Sequence, residues 1–251
     1  SGGIGRAIAV SAAQAGYYVI CHYNRSKENA EKTLSIIEEN GAKGELIVAL
    51  GGGSTMDTAK LAGVLIGASY TVFDLLNDAS LAKKRIRSVF IPTTCGTGSE
   101  ATLNAIVAIP EENTKKGIVN PALIPDEVIL DVNMIAKLPK AIVAATGVDA
   151  LAHCVECYTS KKATVLSNEY ARAGARLIFS SIERAYENPS DLDAKMNMML
   201  GAFYGGVAIT GSGTTAVHAL SYPLGGKYHI AHGVSNAILF ASVMEFNRDA
   251  C

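Results

Sequence analysis

Ile47-Val48-Ala49-Leu50-Gly51-Gly52-Gly53-Ser54-Thr55-Met56-Asp57-Thr58-Ala59-Lys60 reads as a buried strand, a glycine turn and the opening of a helix. Ser54 stands where a helix cap is needed, and Asp57, three residues on, where a capping box closes. That arrangement leaves the glycine amides and the positive end of the helix dipole facing outward, toward an anion such as a diphosphate. A tight strand-to-helix turn alone needs fewer than three successive glycines, so the stretch is read as a phosphate loop.

The segments around it set the fold class. Helical patterns near Arg6 to Ala15 and Lys27 to Asn40 alternate with apolar runs at Tyr17 to His22 and Glu45 to Leu50. A helix then runs to about Gly67, followed by strands at Ser88 to Pro92, Leu103 to Ile109 and Val128 to Val132. This alternation predicts an α/β dinucleotide-binding domain with a parallel sheet over residues 1–138. From Pro139 the pattern changes to long helices, at Ala141 to Thr159, Leu166 to Tyr186, Asp191 to Ile209 and Val234 to Asn247. Residues 139–251 therefore read as a second, all-helical domain. No strand precedes Gly2-Gly3-Ile4-Gly5, and Cys251 closes just past an apolar helix, so both domains are expected to be incomplete at their outer ends.

A second loop, Thr93-Thr94-Cys95-Gly96-Thr97-Gly98-Ser99-Glu100, also leaves an apolar strand and concentrates hydroxyls with glycine. In open α/β sheets ligands bind beyond the carboxyl ends of the strands, so one extended dinucleotide could span both loops. Gly2 to Arg6 is a weaker glycine signal, and Arg25 follows the Tyr17 to His22 strand, where a guanidinium would meet a ribose phosphate.

With 49% hydrophobic residues in 251, the chain can bury a large core. Its 22 Lys+Arg nearly cancel its 23 Asp+Glu, without a basic block, so capture of nucleic acid or an anionic membrane is not indicated. No apolar run is expected to span a bilayer and no signal segment opens the chain, which reads as soluble and cytoplasmic. The 5 cysteines are an odd number without repeated spacing, against a disulfide framework. Cys154-x-x-Cys157 lies inside an apolar helical stretch and reads as buried thiols rather than a redox or zinc pair.

Asp149 and His153 are four residues apart in a helical stretch, so both project from one face. Their flanks are small and apolar, and a carboxylate buried there without a partner would be costly. His218 follows in Thr215-Ala216-Val217-His218, and His232 begins His232-Gly233 after a loop containing Pro223 and two glycines. One carboxylate with three imidazoles suits a borderline divalent ion, ferrous iron or zinc, and leaves room for a substrate oxygen.

Taken in order, Gly51-Gly52-Gly53-Ser54-x-x-Asp57, Thr93-Thr94-x-Gly96-Thr97-Gly98-Ser99-Glu100, Gly147-Val148-Asp149-Ala150-Leu151-x-His153 and His218-x13-His232-Gly233 resemble the iron-containing alcohol dehydrogenase family from about residue 47 to 251. The resemblance implies NAD or NADP as cofactor, a divalent metal, hydride transfer with a small alcohol or aldehyde, and a homo-oligomer such as a dimer. It implies that Gly52, Gly53, Ser54 and Asp57 serve the pyrophosphate side, that Thr93, Thr94 and Thr97 line the cofactor, and that Lys116 is the ribose-contacting lysine. It makes Asp149, His153, His218 and His232 the metal ligands. Many members carry a histidine at the position of Tyr222. Residues 1 to 45 instead resemble the start of a short-chain dehydrogenase/reductase without its first strand, which makes the chain a mosaic. The Tyr-x-x-x-Lys pairs expected of that second family, Tyr23 with Lys27 and Tyr158 with Lys162, read as chance among 10 tyrosines. The rival expectation is a non-catalytic mosaic that folds around a metal without forming a working cofactor cleft.

Overall fold

The computed structural model describes residues 9–11, 14, 15, 46–112 and 114–249. The helices and strand expected before residue 45, with Arg25, Tyr23 and Lys27, lie outside the described residues or are described only in fragments.

Among the described residues, three strands form a parallel sheet in the order β1 (Leu46–Gly51), β2 (Arg87–Pro92), β5 (Glu127–Val128). Leu46 pairs with Arg87 and Gly51 with Pro92, so the two glycine loops leave adjacent strands at the same edge. The middle of β2, Ser88 to Phe90, is buried throughout, as a strand covered on both faces must be. Helix α1 (Gly53–Leu65) lies on β1 and β2, and Ile47, Met56, Ala59 and Phe90 form the core between them. Helix α2 (Val72–Asn77) follows, opened by a Thr71–Asp74 capping box.

Sequence reading placed a strand at Leu103 to Ile109 but missed its partner. β3 (Asn104–Ile109) and β4 (Thr114–Val119) form an antiparallel hairpin outside the parallel sheet. The charges at Lys115 and Lys116 conceal β4, whose faces are mostly partly buried or exposed, with Ile118 the one fully buried residue. In place of the strand expected at Val128 to Val132, only Glu127 and Val128 pair with β2, opposite Val89 and Phe90, as β5.

The helical part comprises α3 (Lys140–Thr159), α4 (Val165–Glu187), α5 (Leu192–Ser212), α6 (Ala216–Tyr228) and α7 (His232–Asn247). The loop expected before His232, containing Pro223 and two glycines, is instead the second half of helix α6. The proline sits inside the helix, where it removes the amide that would bond to Ala219, yet packing of α6 against α7 and β4 keeps the turn helical. Helix α3 is central, packing on α4, α5 and α7. Its close approach to α4 and α5 depends on small residues: a Cβ added at Gly174 would stand 2.8 Å from Cys154 Sγ and 2.9 Å from Gly201 O. Cys154 and Cys157 are buried thiols, pushed up to about 12 and about 11 by that burial, in line with the structural reading of the pair.

Contrary to the sequence expectation, α3 is long and apolar enough, by length and composition, to cross a membrane. Here it is half-buried inside the helical bundle and carries buried Asp149, His153 and Glu156. Those polar groups need partners, and the neighbouring helices supply them.

Candidate metal centre and adjoining cleft

Asp149, His153 and Glu156 occupy one stripe of α3, at spacings of four and three. His218 comes from α6, and His232 is the first residue of α7. One ligand atom from each of Asp149, His153, His218 and His232 lies within 4.8 Å of every other, and three of the four residues are buried. His153 and His218 stack with ring centroids 4.3 Å apart. The Nε2 atoms of His218 and His232 each stand 3.6 Å from Asp149 Oδ1.

The residues that support this cluster were not found by sequence reading. Glu156 has no exposed surface; its Oε2 meets His218 Nδ1, and its Oε1 accepts from Thr215 Oγ1 (2.8 Å), Thr215 N (3.0 Å) and Val217 N (2.8 Å). Asn236, one turn after His232 on α7, points its amide nitrogen at Asp149 Oδ1 (2.5 Å), His218 Nε2 (3.0 Å) and His232 Nε2 (3.4 Å). Glu156 was in principle legible, since it extends the Asp149–His153 stripe by one turn. Asn236 carries no sequence signal beyond its i+4 spacing from His232.

The charge states follow from the burial. Burial opposes ionisation of Asp149, yet the charges of His153, His232 and His218 and the bond from His218 outweigh it and hold the carboxyl well below its usual range. Burial pushes His153 down to about 4 and lowers His232. His218 goes the other way, up to about 9, because bonds to Asp149 and Glu156 overcome its own burial.

The donor set fits a divalent cation. It brings one ionised carboxylate and three imidazoles to a common point, and His153 Nδ1 is buried without a partner. A single amide nitrogen with two hydrogens cannot pair with Asp149 Oδ1, His218 Nε2 and His232 Nε2 at once, whereas a cation can take all three once His218 Nε2 gives up its proton.

The cluster opens into a cavity of about 370 Å³ that reaches the glycine loop, so that His153, His218 and His232 share its walls with Gly53, Ser54 and Thr97. Helix α1 begins at Gly53 with Gly52 as its cap residue and no side-chain cap bond. The capping box expected of Ser54 and Asp57 is absent. Asp57 instead accepts from Ser99 Oγ (2.6 Å) and from Ile106 N (3.1 Å), tying α1 to the second loop and the hairpin. Its neighbour Lys60, also unforeseen, is buried and donates to Thr102 Oγ1 and Asn104 O, both at 2.8 Å. Burial draws Lys60 down to about 8 against the pull of Asp57 and Glu100, and raises the buried Glu100 to about 7.

Gly52 and Gly53 have a second purpose beyond ligand approach. A Cβ at Gly53 would stand 2.8 Å from Thr97 Cγ2, and one at Gly52 3.2 Å from Thr94 Cγ2, so both glycines let the second loop close on the first. Thr97 reaches the cavity, whereas Thr93 and Thr94 do not line it; Thr93 N bonds to Gly51 O (2.9 Å). Lys116 is turned away, its ammonium 2.7 Å from Glu112, because alternation along β4 sends the neighbouring Lys115 inward instead. Tyr222 lines the cavity one turn after His218, beside His232 at 6.3 Å between ring centroids. Tyr158 is half-exposed at the far end of α3, outside the cavity lining, which leaves the Tyr158–Lys162 pair without a site.

Comparison with known proteins gives the family. The model for iron-containing alcohol dehydrogenases matches residues 6–132, and that for the C-terminal part of the family matches residues 143–251. The chain belongs to the iron-containing alcohol dehydrogenase family. The match from residue 6 overturns the expectation of a borrowed short-chain segment over residues 1 to 45, and with it the mosaic. Long-chain-alcohol dehydrogenase 1 of Geobacillus thermodenitrificans is 41% identical over 227 residues, covering 89% of this chain and 56% of that protein. The NAD-dependent methanol dehydrogenase of Bacillus methanolicus is 32% identical, covering 81% and 53% respectively. The chain thus spans about half the length of these curated relatives. An iron-containing alcohol dehydrogenase from Thermotoga maritima, solved as a crystal structure, superposes with a TM-score of 0.77 at 30% identity over 94% of this chain and 73% of that one.

Proposed function

We propose that the chain is a metal-dependent oxidoreductase that moves a hydride between a nicotinamide dinucleotide and a small alcohol or aldehyde. One observation carries this reading: a single cavity has a bare helix N-terminus at one end and an Asp-His-His-His cluster at the other. Family membership supports it, and the name of the methanol dehydrogenase relative gives NAD as the dinucleotide in that protein.

In this reading Asp149, His153, His218 and His232 hold the ion, iron or zinc. A divalent ion held there supplies Lewis acidity toward an alcohol oxygen. The amides at Gly53 and Ser54 face the pyrophosphate, aided by the α1 dipole, and the Thr97 hydroxyl borders it. Asp57 positions this wall by holding Ser99 and β3. Lys115 takes the cofactor-side role that the resemblance gave to Lys116, since it is the hairpin lysine that lines the cavity. The Tyr222 phenol, raised in pKa by burial, borders the space left for substrate and stays protonated there. The boundary between a cofactor domain (1–138) and a helical metal domain (139–251) is supported by the gap between the two family matches. A cytoplasmic, homo-oligomeric enzyme is the accompanying expectation.

The test is metal content and turnover of the purified chain. One iron or zinc per chain, with alcohol-dependent NADH or NADPH formation lost in His218→Ala, is the expected result. Full metal content in His218→Ala sinks the site assignment. A metal-loaded chain that forms no reduced nicotinamide with any short primary alcohol sinks the activity.

A further inference from the structure

We propose that Glu156 is a positioning residue that fixes which nitrogen of His218 faces the metal and locks α6 to α3; this rests on the reading of Asp149, His153, His218 and His232 as ligands. Glu156 is fully buried and ends the polar stripe of α3. Its two oxygens do different things. Oε1 gathers three donors at the start of α6, namely Thr215 N, Thr215 Oγ1 and Val217 N, and α6 has no cap side chain of its own. Oε2 faces His218 Nδ1. A carboxylate accepts only, so Nδ1 must carry a proton, which leaves Nε2, on the side where Asp149 Oδ1 stands 3.6 Å away, as the nitrogen free to exchange its proton for an ion. Carboxylate, imidazole and ion then form the relay by which second partners orient metal-binding histidines, at a typical value of about 10- to 100-fold in affinity.

Glutamine at this position keeps the shape but cannot serve both ends. If its oxygen meets His218 Nδ1–H, its NH2 group faces the amides of Thr215 and Val217, donor against donor. If it turns round, its NH2 group faces Nδ1 and favours the tautomer with the proton on Nε2, the wrong nitrogen for the ion.

The test uses zinc, read by chelator competition, and histidine ¹⁵N NMR of the zinc-loaded chain. In the wild type, His218 should bind through Nε2 and show an exchange-protected Nδ1–H. E156Q should bind zinc about 10- to 100-fold more weakly and lose that protected signal. Thr215→Val, which removes one bond to Oε1 but leaves the imidazole contact, should weaken α6 while leaving zinc affinity near wild type. Wild-type affinity and an unchanged His218 signal in E156Q overturn the proposal while leaving the site intact. So does a zinc-loaded wild type in which His218 binds through Nδ1, a result that needs no variant to fold. A wild type that takes up no zinc or iron overturns the ligand set itself, and the proposal with it.

Discussion

His218 is the side chain on which ion binding and protonation compete. Raised to about 9, its ring carries a proton at pH 7.5 in the ion-free chain, whereas His153 at about 4 and the lowered His232 are already neutral and Asp149 is ionised. Binding an ion through Nε2 must expel that one proton. We expect release of about one proton per zinc at pH 7.5, falling toward none above about pH 9.5, as measured by calorimetry in two buffers of different ionisation enthalpy. The sign is fixed: affinity rises with pH up to the His218 value, and release of two or more protons would show that His153 or His232 is charged in the ion-free chain. That Asp149, His153, His218 and His232 come together was legible in the sequence, because a carboxylate and a histidine four apart on an apolar helix have few structural uses. Glu156, Asn236, Lys60 and the inward turn of Lys115 were not, since each depends on which residue of another element stands opposite.

At the scale of elements, the two glycine loops act as one unit, each shaped by the other. Valine at Gly53 would drive its side chain into Thr97 and the mouth of the cavity, so Gly53→Val should weaken NADH binding at least tenfold in a fluorescence titration without lowering zinc content; unchanged affinity would mean that the cofactor does not approach α1. Gly98 is the second hinge of this unit. It sits at φ 58°, and an added Cβ would stand 2.5 Å from Ala202 O on α5, while a Cβ at Gly206 would stand 2.2 Å from Gly98 O. Gly98→Ala therefore meets backbone on the other side, where nothing can yield cheaply. The left-handed conformation alone costs alanine about 1–3 kcal/mol, so we expect the midpoint of chemical denaturation to fall while the denaturant slope is kept. A midpoint equal to wild type would mean that the loop does not press on α5 in solution. The parallel strands and the long helices could be read from the chain because apolar runs and helical periodicity are local properties. The β3–β4 hairpin and α6 could not: two lysines mask one and a proline the other, and only packing on neighbours decides in favour of structure.

Across the whole molecule, the Asp-His-His-His cluster and a small apolar core of Ala152, Val217 and Val243 are what join α6 and α7 to α3. Helix α6 packs on α7 and β4 but touches α3 only sparingly, through His218, Glu156 and Asp149 and through the apolar pair Val217 and Ala152. The α3–α4–α5 bundle, by contrast, is closed by its own apolar core of Val143, Ala150, Cys154, Ile178, Met198 and Ala202. An ion at the cluster should therefore stabilise the fold unevenly. With zinc at a hundredfold excess over its dissociation constant, linkage gives about 2.7 kcal/mol, or roughly 5–10 °C in Tm for a chain of this size. Hydrogen exchange should locate that gain: on chelation, amides of α6 and the first turns of α7 should exchange faster, while those of α4 and α5 keep their protection. Uniform loss of protection over all five helices would show that the ion supports the bundle as a whole. No change anywhere would show that Asn236, whose amide already lies among three atoms of the cluster, and the apolar core of Ala152, Val217 and Val243 hold the three elements together without the ion.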